Sequence, residues 1–298
     1  MTVVKSLFER NLKIFFKDKG LFFTSLITPG ILLLLYSTFL SRVFEESILM
    51  LIPEGCVFDR SLIKGCVSGQ MISSILAVSS VTVSFCSNML MVQDKANNVY
   101  MDLTVSPVKR RDLSLAYYFS TLFSSLIVCF TAAVLCFVYC AFSGWYLSVF
   151  DVILILLDVF LLVMFGTALS SVINSFLSTQ GQISAIGSLV SSCYGFICGA
   201  YMPISQFSVG LRNVIMFLPG TYGTALIRRH SLQGVLSKIS DSNIPNVSVE
   251  GIRNTLDYNL YFFDKKVTLP VMYIVLCSTV ALLLCVYILI NKRRYKNA

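Results

Sequence analysis

The chain has 298 residues, of which 56% are hydrophobic and only 13% charged, and its mean hydropathy is +0.79. A soluble domain carries about 25% charged residues, so this composition excludes an ordinary soluble protein and describes a polytopic membrane chain. The formal charge of +8 would point to nucleic acid in a soluble protein. Here the basic residues flank apolar runs, where they meet anionic headgroups, so membrane lipid is the expected partner and nucleic acid is not.

The opening segment "TVVKSLFERNLKIFFKDKG" places Val4, Leu7, Phe8, Leu12 and Phe15 on one helical face and Glu9, Arg10, Lys13 and Lys17 on the other. That pattern predicts an amphipathic helix over 1–19 lying in the membrane interface, as an anchor or a partner-docking element. The stretch from Gly20 to Ser41 is long enough to span a bilayer and lacks the pattern of a cleaved signal, so it is expected to be retained. Uncharged stretches follow at 65–93, 113–150, 159–211 and 267–291. The 159–211 stretch holds two spans, with "NSFLSTQGQ" as the turn between them. The segment "FSGWY" ends the third span, since glycine breaks the run and Trp145 and Tyr146 suit an interface.

The predicted fold class is therefore an all-α membrane protein with six transmembrane helices, at about 21–41, 68–92, 113–141, 150–173, 180–201 and 267–290. A loop at 93–112 and a longer loop at 202–266 join spans two to three and five to six. Pro29-Gly30 is a candidate kink in the first span. Lys and Arg crowd the N-terminus, the 93–112 loop and the tail "NKRRYKNA", which places both termini and that loop in the cytoplasm of a multi-pass plasma-membrane protein. The loop 202–266 is then exterior, although it too carries basic residues; long loops are weakly governed by this rule.

Chemistry-bearing residues are sparse. Asp158, about a third of the way into the fourth span, is the one ionisable group expected well inside the membrane. It is either part of a substrate path or tied to a buried hydrogen-bond partner. Among the ten cysteines, Cys56 and Cys66 share a polar loop and are either a disulfide or two thiols; the others lie in apolar runs and pack as small hydrophobes. His230, the single histidine, falls in the long loop without ligand-type neighbours at metal spacing, so it is expected to be solvated and no metal is expected. No Gly-Lys dipeptide of a phosphate-binding loop occurs and no hydrolase motif appears, so the chain is not expected to be an enzyme or to bind a cofactor itself.

Between spans two and three, "VQDKANNVYMDLTVSPVKRRDLSLAYY" reads as a short helix with an apolar edge of Val99, Leu103 and Val105, stopped by Pro107. The order short helix, then "SPVKRRDL", resembles the first cytoplasmic loop of permease subunits of type-2 ATP-binding-cassette (ABC) exporters. The segment "GAYMPISQFSVGLRNVIMFLPGTYGTALIRR" resembles the same family's region after the fifth span, in Gly199, Pro203, Leu218, Pro219, Tyr222 and Arg228. The loop departs from the family in reading "QDKANN" where a charged residue is more often followed by glycine. The length of 202–266 departs as well and predicts an added exterior subdomain.

The resemblance implies two such permeases, as a homodimer or heterodimer, each seated on one of two copies of a cytoplasmic ATPase that binds ATP and Mg. It implies coupling through Met101, Asp102, Leu103, Val105 and Pro107, with Lys109, Arg110 and Arg111 meeting ATPase carboxylates or lipid headgroups. It also implies a re-entrant segment between spans five and six, in which apolar residues including Phe207 and Leu211 dip toward the membrane. Spans one, two and five are expected near the dimer axis. Their small polar residues, among them Ser80, Ser84, Ser188 and Ser191, are either a translocation path or close helix packing. The closest branch is drug and natural-product export, with an amphipathic drug, natural product, peptide or lipid as cargo. An ATP-independent channel or secondary transporter, or an antimicrobial-sensing immunity protein, are the alternatives.

Overall fold

The computed structural model describes all residues except 1, 52–58, 107, 242–248, 264 and 295–298. Among them it is an all-α membrane protein with a single short hairpin. In chain order the helices are α1 (Thr2–Lys17), α2 (Lys19–Leu35), α3 (Ser41–Leu49), α4 (Arg60–Ala96), α5 (Val99–Val105), α6 (Arg110–Ser143), α7 (Val149–Phe176), α8 (Gln180–Ile197), α9 (Val209–Ile215), α10 (Pro219–Asp241), α11 (Val249–Thr255) and α12 (Leu269–Arg294). Strands β1 (Tyr261–Phe262) and β2 (Lys265–Lys266) pair antiparallel just before α12.

Among the described residues, five helical stretches are long and apolar enough to cross a membrane: Phe22–Leu49, Arg60–Ala96, Arg111–Ser143, Val149–Phe176 and Leu269–Lys292. The fifth expected span corresponds to α8, which has 18 residues and falls outside that set because Gln180 and Gln182 in its first turn, with its serines and glycines, dilute its apolar character. The first expected span is longer than its uncharged run. It continues from α2 through a π-helical turn at Tyr36–Leu40 into α3, so the irregularity sits there while α2 passes through Pro29. Such turns relieve a local mismatch in the hydrogen-bond ladder.

Helix α4 is the hub. Asp59 caps its first turn by accepting from the Ser61 amide at 2.9 Å, and nearly every residue from Leu62 to Val92 is buried. Helices α2, α6, α7, α8 and α10 surround it. Small residues make this crowding feasible, because a helix lined with serine and glycine lets neighbours approach closely. A side-chain carbon added at Gly166 of α7 would lie 3.0 Å from the Ser80 carbonyl, and one at Gly69 of α4 would lie 2.8 Å from the Ser231 carbonyl of α10. Some of the serine hydroxyls bond back to their own helix: Ser80 donates to the Leu76 carbonyl at 2.6 Å and Ser84 to the Ser80 carbonyl at 2.7 Å, whereas those of Ser79 and Ser87 are buried without a partner among the described residues.

Capping fixes the depth of the membrane charge. Ser148 and Asp151 form a reciprocal capping box at the start of α7, so helix begins at Val149 and Asp158 lies about 13 Å along the axis from that end. Asp151 is thereby explained as a cap.

The long 202–266 segment contributes a helix to the bundle. Most of α10 is buried, packed against α4, α7 and α12. An apolar and glycine-bearing face (Gly220, Gly223, Leu226, Ile227) inserts it into the bundle. A side-chain carbon at Gly223 would meet Leu162 Cδ1 at 2.5 Å.

Candidate functional site

At the end of the bundle where α4 stops and α6 starts, the backbone turns sharply. Asn97 closes α4, and Asn98 adopts φ 61 as the residue preceding α5. Asparagine is among the few non-glycine residues that accept this left-handed region, so Asn98 supplies what a glycine otherwise provides at the departure noted in "QDKANN". Asp102 lies in the first turn of α5, where negative charge is favoured, and Ser106 Oγ donates to the Leu103 carbonyl at 2.7 Å at its end.

The two faces of α5 differ. Tyr100 and Leu103 pack into a cluster of Leu7 from α1, Met91 from α4, and Leu113, Ala116 and Tyr117 from α6. Met101, Asp102 and Val105 face away, with Val105 88% exposed. Lys109 and Arg111 are also exposed at the start of α6. Pro107 and the side chain of Arg110 lie outside the described residues. Leu103 therefore belongs to the packed face, and the free apolar edge is Met101 and Val105, one helical turn apart.

Polar contacts clamp the same corner. Arg10 of α1 donates to both carboxylate oxygens of Asp94, at 2.9 and 3.2 Å, and Tyr117 of α6 donates to Asp94 at 2.5 Å. Two-point pairing of a planar guanidinium with a carboxylate fixes orientation as well as distance. The hydrogen bond to Asp94 raises the Arg10 pKa above its ordinary value, against a smaller opposing effect of burial. Lys95 donates to the carbonyls of Asn174, Ser175 and Leu177 at 2.9, 3.1 and 3.3 Å. It thus caps the C-terminal end of α7 with positive charge. Tyr287 of α12 donates to the Ser114 carbonyl at 3.1 Å. The ends of α1, α4, α6, α7 and α12 are thus joined around α5.

A second polar network lies toward the opposite end. Asp158 is fully buried; His230 Nδ1 of α10 is 2.6 Å from its Oδ2, and Tyr273 of α12 donates to its Oδ1 at 2.7 Å. The lone histidine, expected in solvent, is buried because α10 is part of the bundle. Nearby, Arg228 donates to the Gly199 carbonyl at 2.5 Å and lies 3.6 Å from Asp257, which accepts from the Ile204 and Ser205 amides. These bonds pin the turn at Gly199, whose φ of 71 suits glycine.

A family model for the ABC-2 type transporter matches residues 2–230. The chain belongs to that family. Comparison with curated proteins found no match. The protein is accordingly an ABC permease subunit, a multi-pass membrane protein of a family whose membrane domain has no nucleotide-binding domain of its own.

On this ABC-2 permease the remaining expected residues separate. Ser80 and Ser84 are buried where α4 meets α7. Ser188 is exposed and Ser191 half-buried on α8. Helix α4, the second span, is enclosed by the chain's own helices. The first and fifth spans do present exposed apolar residues, such as Ile27, Ile31 and Leu34 on α2 and Leu189 and Phe196 on α8.

In the segment expected to be re-entrant, Gly199, Pro203, Tyr222 and Arg228 are buried, as is Ile215. Phe207 and Pro219 are half-buried, and Leu211 and Leu218 are exposed. Cys66 sits inside α4, fully buried, rather than in a polar loop; Cys56 lies outside the described residues. Arg10, Asp94, Lys95, Tyr117 and Tyr273 were not singled out as contact residues from sequence. The available signal was weak: a carboxylate and a lysine directly after the apolar run of α4.

Proposed function

We propose that this permease forms half of an ABC exporter's translocation path, with a second permease of the same or a related kind, and that each half rests on a cytoplasmic ATPase through α5. The observation that carries this reading is the two-faced α5. Its Met101 and Val105 edge is left free at a charged end of the bundle, while Tyr100 and Leu103 are locked to α1, α4 and α6. A short helix with an apolar outer edge fits a groove on a protein partner. Its locked inner face gives any displacement a mechanical route into the spans.

The exposed Lys109 and Arg111 beside it complement carboxylates on the ATPase or anionic headgroups. ATP and Mg belong to that partner. Both termini and α5 are cytoplasmic by the positive charge at this end. The exposed apolar faces of α2 and α8 are the candidate surfaces against a second permease, with Ser188 and Ser191 beside the path. The cargo class that suits apolar faces dotted with serines is an amphipathic drug, natural product, peptide or lipid.

The test is purification of the tagged chain from membranes in mild detergent, followed by identification of its companions and an ATPase assay. A stoichiometric ABC ATPase and hydrolysis stimulated by an amphipathic cargo are expected. Purification of the chain alone, without hydrolysis and with gradient-driven transport, would overturn the proposal.

A further inference from the structure

The hairpin before α12 has no part in the corner that holds α5. Tyr261 pairs with Lys266 and Phe262 with Lys265, and the Val267 amide donates to the Leu260 carbonyl at 2.8 Å, closing the hairpin at its base. Phe263, at φ 43, holds a bulky side chain in the left-handed region, a conformation that is uncommon and strained for such residues. Its ring is 55% exposed.

The Phe262 and Phe263 rings pack edge to face at 4.9 Å, and Phe217, itself largely exposed beyond α9, meets them at 5.3 and 6.3 Å. Both lysines of β2 are exposed. The patch is thus a cluster of aromatic rings with two ammonium groups on the adjoining strand, and Asp264 between them in sequence lies outside the described residues.

We propose that this hairpin is a headgroup-level anchor that seats the α12 end of the permease on anionic lipid. Two observations choose lipid over another occupant. First, the patch is continuous with a membrane-facing surface: α12 begins at Leu269, and its Val271 and Ile274 are exposed apolar residues on a helix that crosses the bilayer. The hairpin therefore stands at the depth where that helix enters the membrane. Second, the chemistry is complementary. Tyr261, exposed on β1, has the amphipathic ring favoured at the boundary between hydrocarbon and headgroups, and the phenylalanine rings supply apolar surface that dips into that boundary. A lysine whose stem lies along apolar surface sends its ammonium to the same level, where anionic headgroups attract it. The inference rests only on the membrane placement of α12 and stands whether or not an ATPase binds α5.

The test uses the full chain in vesicles. In a Trp145→Phe background, Phe263→Trp provides a single reporter and Tyr261→Trp a second, should the first fail to fold. The vesicles are phosphatidylcholine with and without phosphatidylglycerol, containing lipids brominated near the headgroup or deep in the acyl chain. The expected result is a reporter quenched more by shallow than by deep bromines, with quenching that strengthens on adding phosphatidylglycerol and loses that dependence in Lys265→Glu/Lys266→Glu. A reporter quenched by aqueous iodide and untouched by brominated lipid would overturn the anchor. So would shielding that rises with protein density in the vesicle, which would show that a second copy covers the patch. Equal quenching with and without phosphatidylglycerol would overturn the anionic preference.

Discussion

His230 Nδ1 lies 2.6 Å from Asp158 Oδ2, joining α10 to α7 inside the bundle, and Tyr273 completes the junction by donating to the other carboxylate oxygen. Each member is the natural partner of the others, so removing one leaves an uncompensated polar group away from water. Asp158→Ala is expected to cost about 3–5 kcal/mol and Tyr273→Phe about 1.5–3 kcal/mol, read as lowered melting temperatures of the detergent-purified chain. Asp158→Asn separates structure from transport. A variant that melts like the wild type but no longer exports would assign Asp158 to the cargo path instead.

Arg10 and Asp94 should behave differently, because the guanidinium is partly exposed and such pairs contribute about 1 kcal/mol or less to stability. The expectation for Arg10→Ala is a near-normal melting temperature with a severalfold loss of cargo-stimulated ATP hydrolysis in the reconstituted complex, since α1 is then no longer registered against α4 and α6. Arg10→Lys should rescue poorly, because an ammonium does not reproduce the two-point geometry. Full stimulation and export by Arg10→Ala would remove the pair from the coupling route.

Much of the fold was legible because lipid imposes a simple rule: apolar length predicts spans, and the starts of α6, α7 and α8 fall within a few residues of those read from charge-free runs and turn residues. What periodicity does not report is which helix is central. Serines and glycines along α4 read as path or, more heavily, as packing, and what the sequence does not show is that Gly166 of α7 lies against Ser80 and Ser84 while α10 lies against Gly65 and Gly69. His230 was misread for a related reason. Helix α10 is too polar to register as membrane-embedded, with Arg228, Arg229 and His230 in a row, yet Asp158, Asp257 and the Gly199 carbonyl pair with two of these by contacts remote in sequence. The α5 segment was legible as a motif, but its division into a packed and a free face needed α1 and α6 in place.

That division yields a paired test. Val105→Asp places a charge on the free edge, so the permease should fold and melt normally but fail to retain the ATPase in a pull-down. Leu103→Asp buries a charge among Leu7, Met91 and Leu113 and should instead lower expression and melting temperature, since an unpaired charge among apolar groups is strongly destabilising. If both variants retain the ATPase and stimulated hydrolysis, α5 is not the docking element.

The tightest approach of α10 to the bundle provides the last test. A side-chain carbon at Gly234 would collide with the Tyr146 carbonyl oxygen, in the turn between α6 and α7. Backbone on one side and helix on the other leave no flexible side chain to yield, so Gly234→Ala must push α10 away from that turn. Overpacking of this kind costs about 1–3 kcal/mol. Displacing α10 would also strain the His230 to Asp158 contact one turn away. Gly181 near the start of α8 serves as the control, because a carbon added there meets nothing within 4 Å; alanine at that helical position should be neutral or stabilising by about 0.5–1 kcal/mol. Thermal melts of the two variants should therefore move in opposite directions or differ clearly. Equal melting temperatures would mean that α10 stands off from the bundle, and the 202–266 segment would then be a loosely attached exterior unit.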